Sequence, residues 1–521
     1  MRYQTIEIAI SPARFMRWHK RLRDGLARRW PHAQVAFRFE EGGEEWPSAV
    51  KQLLSLERLL LRRRRPTFTD ALNARSISPA AALQADVVID LVGGVAAPHG
   101  ARVLRPLYDG HSSDQYAIAS LLGGSAPTIA LEDAGSGAIV AWGLPSLEAA
   151  DGLTGGLEAV FSRVIVLIEQ ALACPPRVVD APSAPAEKRA RNPYSFALRN
   201  IAFRCARAIY HLCCHSPHWR VGWRFVDGPD VVDSGALTGP AWRVMQDREM
   251  NFAADPFPIH WRGRSGVFYE RLDYRTDRGE IYYQEFDAAG PVGEPTPALV
   301  EPWHLSYPFL IEHEGELYMA PEASASGGVT LYRCVAFPGK WEPVARMLDG
   351  VEAADATIFR HGDRYWITSV VRDGVGGYSD TLALHHAHSL FGPWQAHAQN
   401  PVLVDSRYAR PAGAVVSRKG VLLRPVQDCS EGYGKRIVIM RIDQLDEENF
   451  LQTPVKLVAP GAGWPGARLH TLNRCGRLEC IDGAIFTPKN LGLRRIVHER
   501  IDARALYHVE AQESPLAPAL L

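Results

Sequence analysis

The stretch HLSYPFLIEHEGELYMAPE (304–322) consists of a short polar opening, an apolar strand, a glycine turn and an aromatic strand. This texture recurs about every 50 residues after Val221, and a fixed period of this length is typical of repeat architectures. A single such sheet cannot bury both of its faces, whereas several sheets stacked around an axis can. Residues 221–490 are therefore predicted to form an all-β five-bladed propeller. The five openings, which would converge on the central channel, are ADPFPI (254–259), HLSYPFLI (304–311), DATIFR (355–360), RPAGAVV (410–416) and ARLHTL (467–472).

The first 175 residues have a different pattern, in which predicted strands alternate with predicted helices. Strands are expected at 3–10, 33–39 and 86–92, and helices with apolar spacing at 12–29 and 48–63. Alternation of this kind favours a parallel sheet covered on both faces, so residues 1–175 are predicted to form a Rossmann-like α/β domain. No GxGxxG motif follows the first strand, so neither a dinucleotide site nor any other cofactor is predicted.

A linker and a helix are predicted between the two domains, over residues 176–220. Residues 175–193 are rich in proline, alanine and charge, as linkers are. Residues 194–214 read as an amphipathic helix whose apolar stripe is expected to pack between the domains. The pair Cys213-Cys214 is interpreted as packing, because buried free cysteine behaves as a small hydrophobe. Residues 491–521 are predicted to be a C-terminal tail.

Bulk composition excludes several classes of function. The 521 residues contain 58 Lys+Arg and 58 Asp+Glu, so charge gives no reason to expect a nucleic-acid partner. The cysteines form no CxxC pair, and HHAH (385–388) on a strand would point neighbouring histidines to opposite faces, so no metal site is predicted. The run Arg62–Arg65 is interpreted as a solvated helix end, with phosphate or membrane binding as the alternative.

Hydropathy predicts no integral membrane segment, because no apolar stretch reaches 18 residues. The N-terminal sequence MRYQTIEIAISPARF also lacks the long apolar core of a signal peptide. A cytoplasmic location with reduced thiols is therefore expected.

Several phrases of the repeat resemble known families. The DP of the first opening, DATIF (355–359) and SLFGPWQAHAQNPV (389–402) are similar to the five-bladed propeller glycosidases of the arabinanase/xylosidase and invertase type. The fuller set, ADPF…HLSYPFLIEHEGELYMAPE…DATIF…RPAG…QD…YG…HT, resembles the N-terminal region of plant glucosamine inositolphosphorylceramide transferase and its bacterial relatives. This resemblance covers roughly residues 220–488.

The resemblance implies chemistry at a glycosidic bond, which needs one carboxylate and one acid. Asp255 and Asp355 occupy equivalent blade positions. The resemblance implies that Asp255 is the base or nucleophile and that Asp355 orients or tunes the acid. The glycosidases usually take the acid from a later blade, but blade four opens with Arg410. Three substitutes remain, Glu322, Glu270 and Asp428, of which Glu322 is preferred because APE ends a strand near the channel.

Substrate-binding residues are predicted around these acids. The planar guanidinium of Arg410 suits phosphate or carboxylate, which favours a sugar phosphate, a nucleotide-sugar diphosphate or an acidic sugar. Structural roles remain open as alternatives, namely turn caps for the aspartates, an ion pair for Arg410 and a backbone contact for His304. The predicted substrate-binding set is Trp303, His304, Tyr307, Arg410, Asp428, Tyr433 and His470, in which Trp303 and Tyr433 would stack on a sugar face.

Residues 103–172 resemble the formyltransferase fold. The family's Asn-x-His-x-Ser motif corresponds to Asp109-Gly110-His111-Ser112-Ser113, with aspartate in place of asparagine. The family's later catalytic aspartate corresponds to Gly135. With two of three positions changed, a degenerate domain is predicted, one that binds a nucleotide, supports the propeller or mediates dimerisation.

The sequence thus predicts a carbohydrate-active enzyme that transfers a glycosyl group in the propeller funnel, in surface polysaccharide or glycolipid biosynthesis. Its expected partners are a sugar or activated sugar donor and a glycan acceptor. A glycoside hydrolase or phosphorylase is the second hypothesis, and a non-catalytic glycan-binding propeller is the third. The oligomeric state is left open, with a dimer as one option.

Overall fold

The structure is a computed structural model that describes residues 3–60, 65–76, 85–95, 100–175, 177–182, 191–246, 250–372, 375–461, 463–464 and 466–513. The described chain divides into two compact units. The first contains Met1–Cys205, Asp373–Gly377 and Leu403–Asp405, and the second contains Ala206–Arg372, Tyr378–Val402 and Ser406–Leu521. Most of the arginine run at 62–65, much of the predicted linker and the last eight residues of the predicted tail lie outside the described residues.

The first unit is built on a six-stranded sheet with helices. Its strands follow the order β2-β1-β3-β4-β5-β6, and β1 and β3 are buried along almost their whole length. The elements in chain order are β1 (Thr5–Ile10), α1 (Arg17–Arg29), β2 (Gln34–Phe39), α2 (Ser48–Leu60), β3 (Val87–Asp90), β4 (Arg102–Tyr108), α3 (Gln115–Gly123), β5 (Ile129–Asp133), β6 (Ala138–Gly143) and α4 (Gly152–Ala173). Short 3₁₀ turns occupy Pro12–Arg14 and Ala74–Ser76.

The predicted all-parallel sheet needs a correction. Strands β1 to β4 run parallel, as the alternation of strand and helix predicts. Strand β5 runs antiparallel to β4, and the glycine turn at 134–137 joins β5 to β6 as an antiparallel hairpin. The sheet is therefore mixed, and a Rossmann-like domain is not confirmed.

The helix predicted between the domains is present as α5 (Pro193–Cys213), but its expected burial is wrong. None of its residues is buried, and its large apolar side chains Leu198, Phe203, Ile209 and Leu212 are exposed to solvent. The amphipathic pattern thus correctly predicted a helix and incorrectly predicted a buried stripe. In the adjacent cysteine pair, Cys213 is exposed and Cys214 is buried.

The second unit is a five-bladed β-propeller, as predicted. Each blade is a twisted antiparallel sheet whose first strand is the innermost. Blade one comprises β9 (Asn251–Trp261), β10 (Arg264–Asp273), β11 (Arg278–Phe286) and β12 (Pro291–Leu299), and blade two comprises β13 (Ser306–His313), β14 (Glu316–Glu322), β15 (Gly328–Ala336) and β16 (Lys340–Asp349). Blade three comprises β17 (Ala353–His361), β18 (Arg364–Val371), β19 (Thr381–Ala387) and β20 (Gln395–Ala396). Blade four comprises β22 (Val416–Arg418), β23 (Val421–Asp428), β24 (Arg436–Leu445) and β25 (Phe450–Val458). The remaining short elements are β21 (Leu403–Val404), a helical turn α6 (Val231–Ser234) and a 3₁₀ turn at Ser324–Ser326.

The fifth blade joins strands from the two ends of the propeller. Its strands follow the order β26-β27-β7-β8, namely β26 (Leu472–Cys475), β27 (Leu478–Pro488), β7 (Cys214–Phe225) and β8 (Arg243–Val244). The buried ion pair of Arg224 and Glu479, with Nε 2.8 Å from Oε2, joins β7 to β27. Residue 222 must be glycine, because a Cβ there would overlap the Trp464 ring. The helix α7 (Leu491–Glu513) then begins the segment predicted to be a tail.

Apolar clusters between neighbouring blades form the propeller core. One cluster joins Phe268 and Tyr283 of blade one to Met319 of blade two, and another joins Ile439 of blade four to Ile481 of blade five. Each blade face is therefore buried by its neighbour, which is why the inner strands are held around one axis. None of the helices that the structure describes is both long and apolar enough to cross a bilayer.

Candidate active site

Three inner strands carry the same backbone irregularity near the propeller axis. Asp255 in β9, Tyr307 in β13 and Asp355 in β17 all have positive φ, of 52°, 43° and 52°. In each blade the pairing register with the second strand shifts at this point, which marks a β-bulge. Bulges re-aim side chains, and left-handed backbone at bulky residues persists only where the surroundings hold it. The equivalence of Asp255 and Asp355 predicted from the repeat is thus present in the backbone.

Asp255 is held on every side by hydrogen bonds. Its Oδ1 accepts a 2.6 Å bond from the hydroxyl of Thr471, and its Oδ2 accepts a 3.1 Å bond from the backbone N–H of Tyr307. Its own N–H donates to Oδ2 of Asp482 at 2.9 Å. Blades one, two and five therefore meet at this side chain, which is 4% exposed.

His470 lies between two of these carboxylates. Its Nδ1 is 2.6 Å from Oδ2 of Asp482, and its Nε2 is 3.6 Å from Oδ1 of Asp255. Burial lowers the pKa of the imidazole, but the negative charges of Asp482 and Asp255 outweigh burial and raise its pKa above the ordinary value. The ring stacks on Trp219 at 3.9 Å between centroids. The two carboxylates thus favour the protonated form of His470.

Asp355 pairs with Arg410 on the opposite side of the cluster. Nε of Arg410 donates to Oδ2 of Asp355 at 2.6 Å, and Gln427 donates to the same oxygen at 3.1 Å. Nη2 of Arg410 lies 3.9 Å from Oε2 of Glu322, and the guanidinium stands 4.7 Å from the ring centre of Tyr433. Arg410 therefore bridges two of the predicted catalytic acids. The ion pair, left open as an alternative for Arg410, is present, while its binding of an anionic sugar stays a prediction.

Burial raises the pKa values of several of these acids. For Asp255, burial and the charges of Asp482 and Asp355 outweigh the attraction of His470 and raise the pKa to about 6. For Glu322, burial and then the charge of Asp355 raise the pKa well above its usual range, against the attraction of Arg410. Burial therefore favours the protonated form of Glu322. One ionised and one protonated carboxyl is the combination that glycosyl chemistry needs.

A second protonated acid, Glu270 at the inner end of β10, joins the same cluster. Burial and the charges of Asp255 and Glu322 raise its pKa well above the usual range. His304 contacts it, with Nε2 3.3 Å from Oε1, and Nδ1 of His304 accepts a 2.9 Å bond from the N–H of Gly279. Because burial lowers the pKa of His304, the ring is neutral with its proton on Nε2, directed at Glu270. Sequence reasoning considered Glu270 as the acid and preferred Glu322, but the structure brings both to the site.

Tyr307 and Asp428 have partners within the propeller. The Tyr307 side chain is 0% exposed, and its hydroxyl lies 2.8 Å from Oγ1 of Thr357 and accepts a 2.8 Å bond from Gly413. Asp428 accepts bonds from Ser430 and, at 2.7 Å, from Nε of Arg436. These contacts account for both residues as structural ties, and their roles in substrate binding stay predictions.

The two aromatic residues predicted to stack on sugar are placed differently. Tyr433 lies among Arg410, Trp219 and His470, so it is part of the cluster. Trp303 packs against the apolar core between blades one and two. Of the two, Tyr433 therefore lies nearer to the buried acids.

Sequence reasoning missed Asp482, which holds the site together. Besides Asp255 and His470, its carboxylate accepts backbone N–H bonds from His470 and Thr471. The available signal was a charged residue inside the apolar run CIDGAIF (480–486), since a buried charge must be paired. Asp255, His470 and Asp482 also form the group of described residues whose ligand atoms, all within 4.8 Å, could hold a metal ion.

The first unit has a separate cavity at the carboxyl ends of its parallel strands. It has a volume of about 480 Å³, and its lining includes Arg14, His19, Tyr108, Ser112 and Asp114. Arg14 and the indole of Trp46 both bond to the buried carboxyl of Asp114. Open α/β sheets bind ligands at this edge. Nucleotide binding by this unit stays a prediction.

The N–H groups of the glycine turn after β3 already have an acceptor within the protein. The carboxylate of Asp90 accepts the N–H groups of Val92, Gly93, Gly94 and Val95 at 2.8–3.1 Å and pairs with Arg105. A protein carboxylate thus fills the anion-binding nest that such turns offer.

The residues that resemble the formyltransferase motif form a tight turn. Asp109 has a φ of 47° and accepts bonds from Ser120 and from the N–H of Thr128. His111 stacks on Tyr116, and Gly135 lies in the turn between β5 and β6. The formyltransferase resemblance stays a prediction.

Two solved structures are weakly similar to the chain. A family 117 glycoside hydrolase from Zobellia galactanivorans is 13% identical, with a TM-score of 0.32 over 47% of this chain and 77% of that one. An α-L-arabinanase of Cellvibrio cellulosa is 16% identical, with a TM-score of 0.29 over 38% of this chain and 76% of that one. At these scores the likeness says nothing about chemistry.

Two curated relatives are more similar in sequence. Glucosamine inositolphosphorylceramide transferase 1 of Arabidopsis thaliana is 34% identical over 257 residues, which cover 48% of this chain and 33% of the relative. The protein of the same name from Oryza sativa subsp. indica is 31% identical over 233 residues, 43% of this chain and 31% of the relative. The chain thus spans about a third of the length of these relatives. Residues 239–479, which carry blades one to four and the inner part of blade five, match the family described as Glucosamine inositolphosphorylceramide transferase 1, N-terminal.

Proposed function

We propose that the buried cluster of the propeller catalyses glycosyl transfer from an activated sugar to a glycan or lipid acceptor in glycolipid biosynthesis. One observation carries the proposal: Asp255, with a pKa of about 6, shares a buried cluster with Glu322, whose pKa is raised well above its usual range. At neutral pH the pair supplies one base and one acid.

In the proposed reaction the two carboxyls have opposite roles. Glu322 gives its proton to the leaving oxygen as the bond from that oxygen to the anomeric carbon breaks. Asp255 takes the proton of the acceptor hydroxyl as the acceptor oxygen bonds to the same carbon. Arg410 and Asp355 hold the acid in place through the 3.9 Å and 2.6 Å contacts of the guanidinium. Tyr433, beside Arg410, is the aromatic surface available for a sugar face.

The relatives support the choice of substrates to test first. They are named glucosamine inositolphosphorylceramide transferase, and the family match covers Asp255, Glu322, Arg410 and His470 of the cluster but ends before Asp482. An activated amino sugar and an inositol-phosphate lipid are therefore the first donor and acceptor. If water were the acceptor, the same two carboxyls would make the protein a hydrolase.

A non-catalytic glycan-binding propeller is the second candidate. It is favoured by the occupied oxygens of the aspartates, since Asp255 accepts from Thr471 and Tyr307 and Asp355 accepts from Arg410 and Gln427. Aspartates bonded in this way tie blades together whether or not a reaction follows.

The test incubates the full chain with a panel of nucleotide-activated sugars and inositolphosphorylceramide in mixed micelles and follows the glycolipid by mass spectrometry. We expect product from the wild type, a loss of about 10²–10⁴-fold in Glu322→Gln and Asp255→Asn, and no loss in the exposed control Asp363→Asn. Free sugar without glycolipid would identify a hydrolase. Saturable sugar binding with no turnover in any variant would identify a binding module.

A further inference from the structure

The end of helix α5 and the start of helix α7 present apolar side chains to solvent on the propeller unit. Six large side chains there are 46–75% exposed, and together they are called the α5–α7 patch: Ile209, Leu212, Phe486, Leu491, Leu493 and Ile496. Single exposed apolar residues need no explanation, but a cluster of this size marks an interaction surface.

The two segments of the patch are joined to each other. The backbone N–H of Lys489 donates to the carbonyl of Cys213 at 2.8 Å, and its Nζ donates to the carbonyl of His211 at 2.6 Å. The rings of Tyr210 and Phe486 lie 5.8 Å apart. Lys489 thus fixes the last turn of α5 beside the residues that lead into α7.

The α5 side of the α5–α7 patch carries only positive charge. Residues 193–213 include Arg199, Arg204 and Arg207 and no acidic residue. At the start of α7, Lys489 and Arg495 are accompanied by Glu499, which lies 3.1 Å from Nε of Arg495, and Arg494 is buried. The excess of positive charge therefore comes from the acid-free helix α5, and with its exposed leucine and isoleucine it fits a negatively charged apolar surface.

Helix α5 has the pattern of a helix that lies in a membrane interface. One stripe of α5 consists of residues at three- or four-residue steps, namely Tyr194, Leu198, Ile201, Cys205, Ile209 and Leu212. At 3.6 residues per turn, Arg199 and Arg204 fall on opposite sides of this stripe, and Arg204 pairs with Asp151. In this arrangement apolar side chains enter the acyl boundary while cations meet anionic headgroups.

A second copy of the chain fits the α5–α7 patch less well. A two-fold interface brings the same patch together from both copies, so the arginines of α5 would face arginines. Paired helices place acids against bases at the flanks of the stripe, and α5 has no acid to offer. We propose that the α5–α7 patch docks the protein on the surface of an anionic lipid bilayer, with the apolar stripe in the headgroup–acyl boundary.

The test is flotation of the full chain with vesicles of phosphatidylcholine alone or of phosphatidylcholine with about a third phosphatidylglycerol. We expect flotation with the anionic vesicles, little with the neutral ones, and a marked decrease at high salt because the attraction is screened. Absence of flotation of the wild type with either vesicle would overturn the proposal without any variant.

A pair of double variants distinguishes vesicle binding through the α5–α7 patch from nonspecific binding. Leu212→Glu with Leu493→Glu should lower the bound fraction at least tenfold. The control, Leu451→Glu with Leu457→Glu, makes the same change at side chains 53–57% exposed on β25 and should leave flotation unchanged. Circular dichroism verifies that both double variants remain folded. The double variant Arg199→Gln with Arg207→Gln should independently lower flotation, and only with the anionic vesicles.

The remaining outcomes contradict the proposal. Equal loss in the control pair would show that binding does not use this surface. If the wild type is dimeric by light scattering and the patch variant is monomeric but still floats, a second copy covers the patch.

Discussion

Asp255 and Asp355 have the same backbone φ, 52°, at the same bulge of the inner strands of blades one and three. Their surroundings nevertheless differ. Asp355 accepts from the guanidinium of Arg410 at 2.6 Å, whereas Asp255 accepts from neutral donors and has His470 at 3.6 Å. One repeat unit thus places two identical side chains in two electrostatic environments, which is how the propeller distinguishes their chemistry.

The first prediction concerns stability. The pKa of Asp255 rises from 3.8 to about 6 on folding, so the folded protein holds the proton more tightly than the unfolded chain. The stability that this proton gives is complete below about pH 4 and is lost as the pH rises through about 6. The free energy of unfolding of Asp255→Asn should therefore be about 1–3 kcal/mol higher than that of the wild type at pH 7–8.

Urea unfolding at several pH values checks this difference. The difference in the free energy of unfolding between the two proteins should disappear as the pH falls from 6 to about 4, where both are neutral at this position. A variant that is less stable than the wild type at pH 8 would contradict the raised pKa of Asp255.

The second prediction is the pH profile of the proposed transfer. kcat/KM should rise with an apparent pKa of about 6 as Asp255 ionises, because the base must be free of its proton. It should fall again at alkaline pH as Glu322 loses its proton, and Glu322→Gln should lack that alkaline limb in its residual activity. Initial rates in buffers of constant ionic strength measure both limbs. A profile that is flat from pH 5 to 7 would remove Asp255 from the reaction.

The third prediction concerns Arg410. Arg410→Met leaves the buried carboxylate of Asp355 without its charged partner, so we expect a loss of about 3–5 kcal/mol in the free energy of unfolding. The control Arg264→Met removes an exposed pair with Glu285 and should cost less than about 1 kcal/mol. Adding Asp355→Asn to Arg410→Met should restore part of the loss. Denaturant titration of the wild type, Arg410→Met, Asp355→Asn and the double variant measures the coupling.

The fourth prediction concerns the hydroxyl of Tyr307. It joins blades two, three and four through Thr357 and the N–H of Gly413. Tyr307→Phe leaves that N–H buried without a partner and should cost about 1–3 kcal/mol. Tyr116→Phe in the first unit, where the ring stacks on His111, should change stability by less than about 0.5 kcal/mol. Equal costs in thermal unfolding would show that the hydroxyl does not tie the blades.

Much of the propeller could be read from the sequence because each blade repeats one local pattern. The polar openings predicted where the inner strands begin. The equivalence of Asp255 and Asp355 followed from their places in the repeat. The outer strands of blade five could not be assigned in this way. β7 begins at Cys214, seven residues before the predicted start of the propeller, because its partner β27 is remote in sequence and no local repeat marks the pair.

The candidate site was predicted in outline and not in its contacts. The acids and Arg410 stand out in the openings, but the pairing of Arg410 with Asp355 depends on distances that only the folded chain defines. Asp482 was missed because it lies in an apolar second strand rather than in an opening. For α5, the apolar stripe predicted a helix correctly, but periodicity does not say what covers a stripe.

The closure of blade five sets an order of events during synthesis. Arg224 leaves the ribosome 255 residues before Glu479, so β7 waits roughly 10–50 s for its partner at ordinary rates of translation. During that interval the β27-facing edge of β7 is unpaired, and open edges of this kind recruit other strands. A nascent chain whose synthesis has stopped just before Leu478 therefore has blades arranged in an open arc and not in a closed ring. Chaperone demand should peak late, after most of the protein has already been made.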